Sequence, residues 1–137
     1  QAEVAGIVRV DEQARQLWYY ARTGDNYLKF QLHRVGLDGT GDRRLTDPAL
    51  HHMVTVAPDG KHFVDVAQTH AIPPTTRLLD ANGKVVTVIA ESDLSGLRAA
   101  GFTPVEMFTY TAADGVTKLH GMLHKPSHFD PARRYPM

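Results

Sequence analysis

The stretch Met53-Val54-Thr55-Val56-Ala57-Pro58-Asp59-Gly60-Lys61-His62-Phe63-Val64-Asp65-Val66-Ala67 reads as two strands about one tight turn. Pro58 presets one turn dihedral and Gly60 accepts the positive one. The flanking residues are β-branched or aromatic, as strands favour. The same pattern occurs 46 positions earlier, from Ile7-Val8-Arg9-Val10 to Tyr19-Tyr20-Ala21. There Ile7, Val8, Val10 and Leu17 stand where Met53, Val54, Val56 and Phe63 stand later, and Glu12 to Arg15 takes the place of the turn.

A second correspondence follows each copy. Arg34 to Leu37-Asp38 and Gly41 matches Arg77 to Leu79-Asp80 and Gly83, and a short strand-like piece closes each unit, Arg43 to Thr46 or Val85 to Ile89. Asn82-Gly83 is a hairpin signal. Each unit therefore reads as four strands, and a period in the forties with four strands per unit fits a β-propeller blade. Two hairpins in an ordinary sandwich remain the plainer alternative. After Ala90 the pattern changes. Residues 91–101 read as a short helix capped by Ser92 or Asp93, with Leu94, Leu97 and Arg98 on one face and Gly101 ending it. Two more strand-like runs, Val105–Thr111 and Val116–Lys125, flank the turn Ala112-Ala113-Asp114-Gly115, and a polar tail follows. The predicted fold class is all-β and mainly antiparallel: two four-stranded blades over residues 1–90, then a connector helix and a β-hairpin over residues 91–137. The blades would form an incomplete propeller.

The 137 residues are 42% apolar, which suits one globular unit rather than a disordered chain. Fifteen basic residues balance fifteen acidic ones, so the positive footprint of a nucleic-acid binder is missing. No apolar run approaches the ~20 residues of a membrane span. With no cysteine, thiol nucleophiles, thiolate metal sites and disulfides are excluded. The start at Gln1, and the end at Arg134-Tyr135-Pro136-Met137 without a turn or cap, lead to the expectation of a segment of something longer. Two blades cannot close a ring, so open sheet faces and edges predict self-association of the isolated chain.

Candidate chemistry is sparse. Ser92, Ser95 and Ser127 are the serines, and none sits in a Gly-x-Ser-x-Gly turn. Ser127, His128 and Asp130 carry the letters of a catalytic triad, but triads are defined by geometry and not by letters. His120, His124 and His128 recur at a spacing of four. On a strand, His120 and His124 would lie about 13 Å apart, too far for one ion. His51 and His52 point to opposite faces of an extended chain. Asp38-Gly39-Thr40-Gly41-Asp42 lacks the ligands of a calcium loop and the Lys-Ser/Thr of a phosphate loop. Trp18 and Tyr20 share one strand face, with Tyr19 on the other, and read as packing residues. Arg43-Arg44 and Arg133-Arg134 read as solvated pairs. The expectation is no catalytic residue, no metal ligand and no cofactor site in this chain.

Taken in order, these residues resemble a family. The sequence runs Leu37-Asp38-Gly39-Thr40-Gly41, Arg43-Arg44-Leu45-Thr46, Ala57 to Phe63, Leu79 to Lys84 and Asp93 to Leu97. It continues through Glu106 to Tyr110, Asp114-Gly115, and Leu119 to Met137 with Lys125-Pro126, Phe129-Asp130-Pro131 and Tyr135-Pro136. This order resembles the dipeptidyl peptidase IV branch of the prolyl oligopeptidase family of serine peptidases. The resemblance covers essentially the whole chain and is strongest over residues 104–137. It implies the last blades of an N-terminal propeller, a connector, and the first hairpin of an α/β-hydrolase domain. The whole protein would release N-terminal dipeptides, with Pro or Ala preferred, by acyl transfer to serine. Its triad and substrate-gripping acids would lie outside this chain. The implied partners are the remaining blades and hydrolase domain of its own chain, with peptide as substrate. No nucleic acid and no membrane span is implied, and a bacterial periplasm or cell envelope is favoured as the compartment. An acylaminoacyl peptidase or oligopeptidase fragment, or a propeller-type protein-binding module, are the competing readings.

Overall fold

A computed structural model describes residues 3–22 and 28–136. Met137, placed by the sequence at the entry to a further strand, lies outside the described residues. The chain divides into two compact units, residues 1–92 and 93–137.

The first unit holds two four-stranded antiparallel sheets, each a simple meander. One is β1 (Glu3–Asp11), β2 (Gln16–Arg22), β3 (Phe30–Gly36) and β4 (Arg43–Arg44). The other is β5 (His51–Val56), β6 (His62–Gln68), β7 (Thr75–Asp80) and β8 (Val85–Glu91). The sequence repeat is visible in the strands themselves. β2 and β6 begin and end 46 residues apart, and the turn over Pro58–Lys61 occupies the place of Glu12–Arg15. The arrangement is that of two blade-like sheets that do not close a ring.

The core lies between the sheets. Trp18 and Leu32 from the first meet Val54, Phe63 and Leu79 from the second, with Leu45 beside them. Trp18 is 1% exposed, and its ring meets Phe63 edge-on at 6.4 Å, the geometry that aromatic quadrupoles favour. The residues that bury are not equivalent ones. Phe63 corresponds to Leu17 in the repeat, yet it packs against Trp18, whose counterpart Val64 is exposed. Side chains alternate across a strand, so opposite faces of the two sheets meet. This head-to-tail stacking leaves an outer face on each sheet.

Short polar turns close the strands by one recurring device, an Asp carboxylate accepting N–H bonds from the residues just after it. Asp38 accepts from the Thr40 N–H and hydroxyl, Asp59 from the Lys61 N–H, Asp80 from the Asn82 and Lys84 N–H groups. Asp93 does the same for Ser95, and Asp114 for Thr117 and Val116. These bonds favour the ionised form and hold all five carboxyls below their ordinary value of 3.8. A group whose folded value is depressed adds stability above its unfolded value and loses it as pH falls through the folded one. The melting temperature is therefore expected to be level near pH 5 and to drop below about pH 4. A level melting temperature down to pH 3 would show that these turns carry no stability.

The second unit contains α1 (Ser95–Ala99) and one hairpin, β9 (Glu106–Thr111) with β10 (Lys118–Leu123). The helix is shorter than the predicted 91–101. Ser92 spends its hydroxyl on the Pro74 carbonyl, and Asp93 makes a turn to Ser95, so neither caps a longer helix. Its end is as the sequence indicates. Gly101 takes a φ of +83°, and the N–H groups of Gly101 and Phe102 return to Arg98 and Leu97, a left-handed stop. The predicted strand 116–125 shortens to Lys118–Leu123, because Asp114 draws Val116 and Thr117 into the turn. In the hairpin Phe108 lies across Gly121, where a Cβ would fall 2.5 Å from the ring.

Candidate functional site

Each residue singled out by the sequence can be placed. Ser127 and His128 both approach Gly101, but no hydrogen bond joins Ser127 to His128 or His128 to Asp130 among the described residues. The Asp130 N–H instead binds the Tyr135 hydroxyl at 2.9 Å, and its carboxylate accepts from Ala132. His120 contacts the Thr109 hydroxyl at 3.1 Å across the hairpin. Asp38 is used up by its own turn, while Asp42 accepts from Tyr19 at 2.8 Å and contacts His33 at 3.2 Å. Burial, then the bond and charge of Asp42, push the Tyr19 phenol up to about 12. Among the described residues no three His, Asp or Glu side chains converge as a metal site would require. No helix is long and apolar enough to cross a membrane.

What these side chains do build is a seam between the two sheets. Tyr20 reaches across from β2 and bonds both the carbonyl and the N–H of Val54, and burial raises its phenol. Arg9 on β1 spans to the carbonyls of Ala57 and Pro58 at the β5–β6 turn. Arg34 on β3 donates to Ala81 at 3.1 Å, and Arg43 on β4 donates to Asn82 at 3.5 Å. The β7–β8 turn is thus held against the first sheet by two arginines. At its centre Gly83 has a φ of +82° and faces the Leu45 carbonyl so closely that a Cβ would lie 1.8 Å from the oxygen.

Near the other end of the seam, Gln31 donates to the Leu50 carbonyl at 2.8 Å and accepts from the Thr46 hydroxyl. The Phe30 N–H donates to Nδ1 of His51 at 3.1 Å. Burial, with the neighbouring His52, lowers the His51 ring below its usual value, which suits its role as an acceptor.

The feature that sequence reasoning missed is the pair His52 and Asp65, each 1% exposed. Nδ1 of His52 meets the Asp65 carboxylate at 2.9 and 3.0 Å, and Nε2 meets the Asp47 carbonyl at 2.8 Å. Both ring nitrogens thus face oxygen atoms, which hold the ring in one orientation beside Asp65. Arg77 adds a cation at 3.8 Å. A signal was present in the sequence. Asp65 has the same strand parity as Phe63 and Ala67, so it must enter the core with them, and a buried carboxylate needs a partner.

The seam can fix two sheets in register; most of its polar groups are paired with one another, while Nε1 of Trp18 and Nε of Arg77 are buried without a hydrogen-bond partner. A family model described as "Dipeptidyl peptidase IV (DPP IV) N-terminal region" matches residues 1–74. "Probable dipeptidyl-aminopeptidase B" of Emericella nidulans is 29% identical over 140 residues, covering 98% of this chain and 15% of its own length. Dipeptidyl peptidase 8 of Homo sapiens is 28% identical over 137 residues, 94% of this chain and 15% of its own length. A crystal structure assigned to a dipeptidyl aminopeptidase IV from Bacteroides ovatus matches with a TM-score of 0.78 and 25% identity, over 98% of this chain and 19% of that one. The chain therefore spans less than a fifth of the proteins it resembles. On the match over residues 1–74, it belongs to the dipeptidyl peptidase IV N-terminal region family.

Proposed function

We propose that this chain is a non-catalytic scaffold segment of a serine exopeptidase that releases N-terminal dipeptides, with Pro or Ala preferred. Residues 1–90 would be two blades at the end of a propeller. Residues 91–137 would be the connector and the first hairpin of an α/β-hydrolase domain, and the remainder of the same polypeptide would be its main partner. The observation that carries this reading is the family match over residues 1–74 on a unit made of two stacked, four-stranded meanders. The names of the relatives support the activity of the whole. An envelope location in a bacterium has the Bacteroides ovatus neighbour on its side, while the relatives also include fungal and human proteins.

The isolated chain also has reason to self-associate. Val4, Ile7 and Val10 are exposed on the outer side of the first sheet, and Met53 and Val64 on the outer side of the second. Exposed apolar surface of this kind favours a partner.

The test has two arms. The purified 137-residue chain should release no dipeptide from chromogenic Ala-Pro or Gly-Pro reporters. An antibody raised against it should detect, in lysate of the source organism, a protein several times larger that copurifies with that activity. A native protein of only this chain's size would overturn the reading.

A further inference from the structure

The two sheets are repeats of each other, but their last strands differ. β4 is two residues long, and both are arginine. A short, charged last strand is how natural sheets discourage edge pairing. β8 is seven residues long, Val85-Val86-Thr87-Val88-Ile89-Ala90-Glu91, and every residue is exposed. Val86, Val88 and Ile89 are 56%, 47% and 55% exposed. Among the described residues no strand lies beyond it. Residues 85–90 carry no charge and no proline, the composition of an edge that pairs. Packing further sheets against the outer faces would not cover this edge, because face-to-face stacking buries faces and leaves outermost strands at the perimeter.

We propose that the free edge of β8 pairs antiparallel with β8 of a second copy of this chain. This rests on the self-association reading above and specifies its interface.

The occupant follows from the strand's own charge pattern. Lys84 precedes the apolar run and Glu91 closes it, and both are exposed. A two-fold axis between Thr87 and Val88 sets Lys84 of each copy opposite Glu91 of the other. It also sets Val85 opposite Ala90, Val86 opposite Ile89 and Thr87 opposite Val88. Opposite charges and β-branched pairs directly across an antiparallel ladder are stabilising. The bulges in β8 obey the same symmetry. The register against β7 shifts between Thr76 and Arg77 and between Leu78 and Leu79, which makes Ile89 and Val86 the extra residues. The axis places these two opposite each other, so the added twist of one copy meets its equivalent in the other. An isologous contact of this kind closes on itself as a dimer.

Sedimentation equilibrium and cross-linking of the 137-residue chain test this together. A dimer is expected, and a zero-length amine–carboxyl reagent should join Lys84 to Glu91. The two residues stand at opposite ends of one strand, roughly 23 Å apart at ~3.3 Å per residue, so this link forms only between copies. Lys84→Glu alone or Glu91→Lys alone should weaken dimerisation about tenfold, and the double reversal should restore it. These substitutions sit on exposed side chains at the strand ends and leave the core untouched. Ile89→Lys, an edge lysine, should abolish the dimer. A dimer that ignores all four variants and gives no Lys84–Glu91 link overturns the β8 pairing while leaving the open faces as the interface. A monomer at 100 μM overturns both.

Discussion

Replacing Gly83 by alanine is expected to destabilise the chain by about 4 kcal/mol or more, in the range reserved for severe defects. Two costs add. The φ of +82° disfavours any side chain, which for an L-residue amounts to roughly 1–2 kcal/mol. The larger cost is steric. A Cβ at this position would stand 1.8 Å from the Leu45 carbonyl oxygen and 2.8 Å from its carbon. Both are backbone atoms, so no rotamer change relieves the clash. Leu45 is itself fixed, because its N–H donates to Leu32 at 2.8 Å and its side chain lies in the core. The turn must therefore withdraw, which pulls Ala81 and Asn82 from Arg34 and Arg43. Gly39 supplies the control. Its φ is +80°, but the space around it is open, so Gly39→Ala should cost only about 1–2 kcal/mol. Urea denaturation of both variants separates the terms. Equal losses would show that the close approach of Gly83 to Leu45 contributes nothing.

The position of Gly83 also shows how far the sequence can be read. Asn82-Gly83 announces a hairpin turn, and the turn is there, with Gly83 in the left-handed region. That the same glycine is one of the points where the two sheets touch was not legible, because the contact is made to Leu45, far away in the chain. The repeat was legible for a related reason. Strand parity and turn chemistry are local, so β2 and β6 could be placed at their common offset from the residues alone. Where a side chain competes with the backbone, the reading slips. The predicted strand Arg43–Thr46 stops at Arg44, because the Thr46 hydroxyl takes over the Leu32 N–H at 3.0 Å in place of a ladder bond. The helix contracts because Ser92 and Asp93 find other partners. As for the site, the sequence presented eight histidines without a coherent centre. The structure gives one of them, His52, a buried partner, and sets His33, His51, His62 and His120 against Asp42, the Phe30 N–H, Asp59 and Thr109.

Asp65, the partner of His52, carries the second large effect. Asp65→Ala should cost about 3–5 kcal/mol, because it leaves the buried His52 Nδ1 without its partner and the Arg77 guanidinium without its counter-charge. His52→Ala should cost a similar amount, since it strands the Asp65 carboxylate at 1% exposure with only Arg77, 3.8 Å away, to face it. Neither figure is the net worth of the pair, because removing one partner charges the variant with the desolvation of the other. The double variant isolates the coupling. Losing both groups together removes the stranded charge, so the double loss should fall short of the sum of the singles by about 2 kcal/mol, within the range seen for contacting residues. Additive losses would mean that the two side chains act separately, His52 through the Asp47 carbonyl and Asp65 through Arg77. A coupled pair has a consequence for the fold as a whole. An apolar seam alone tolerates a strand slipping by two residues, since the same face stays inward. Such a slip would part His52 on β5 from Asp65 on β6 and leave both groups buried without their partner. The pair thus adds to the tight β5–β6 turn in fixing the register of the second sheet, and the single variants should show looser, less cooperative unfolding as well as lower stability.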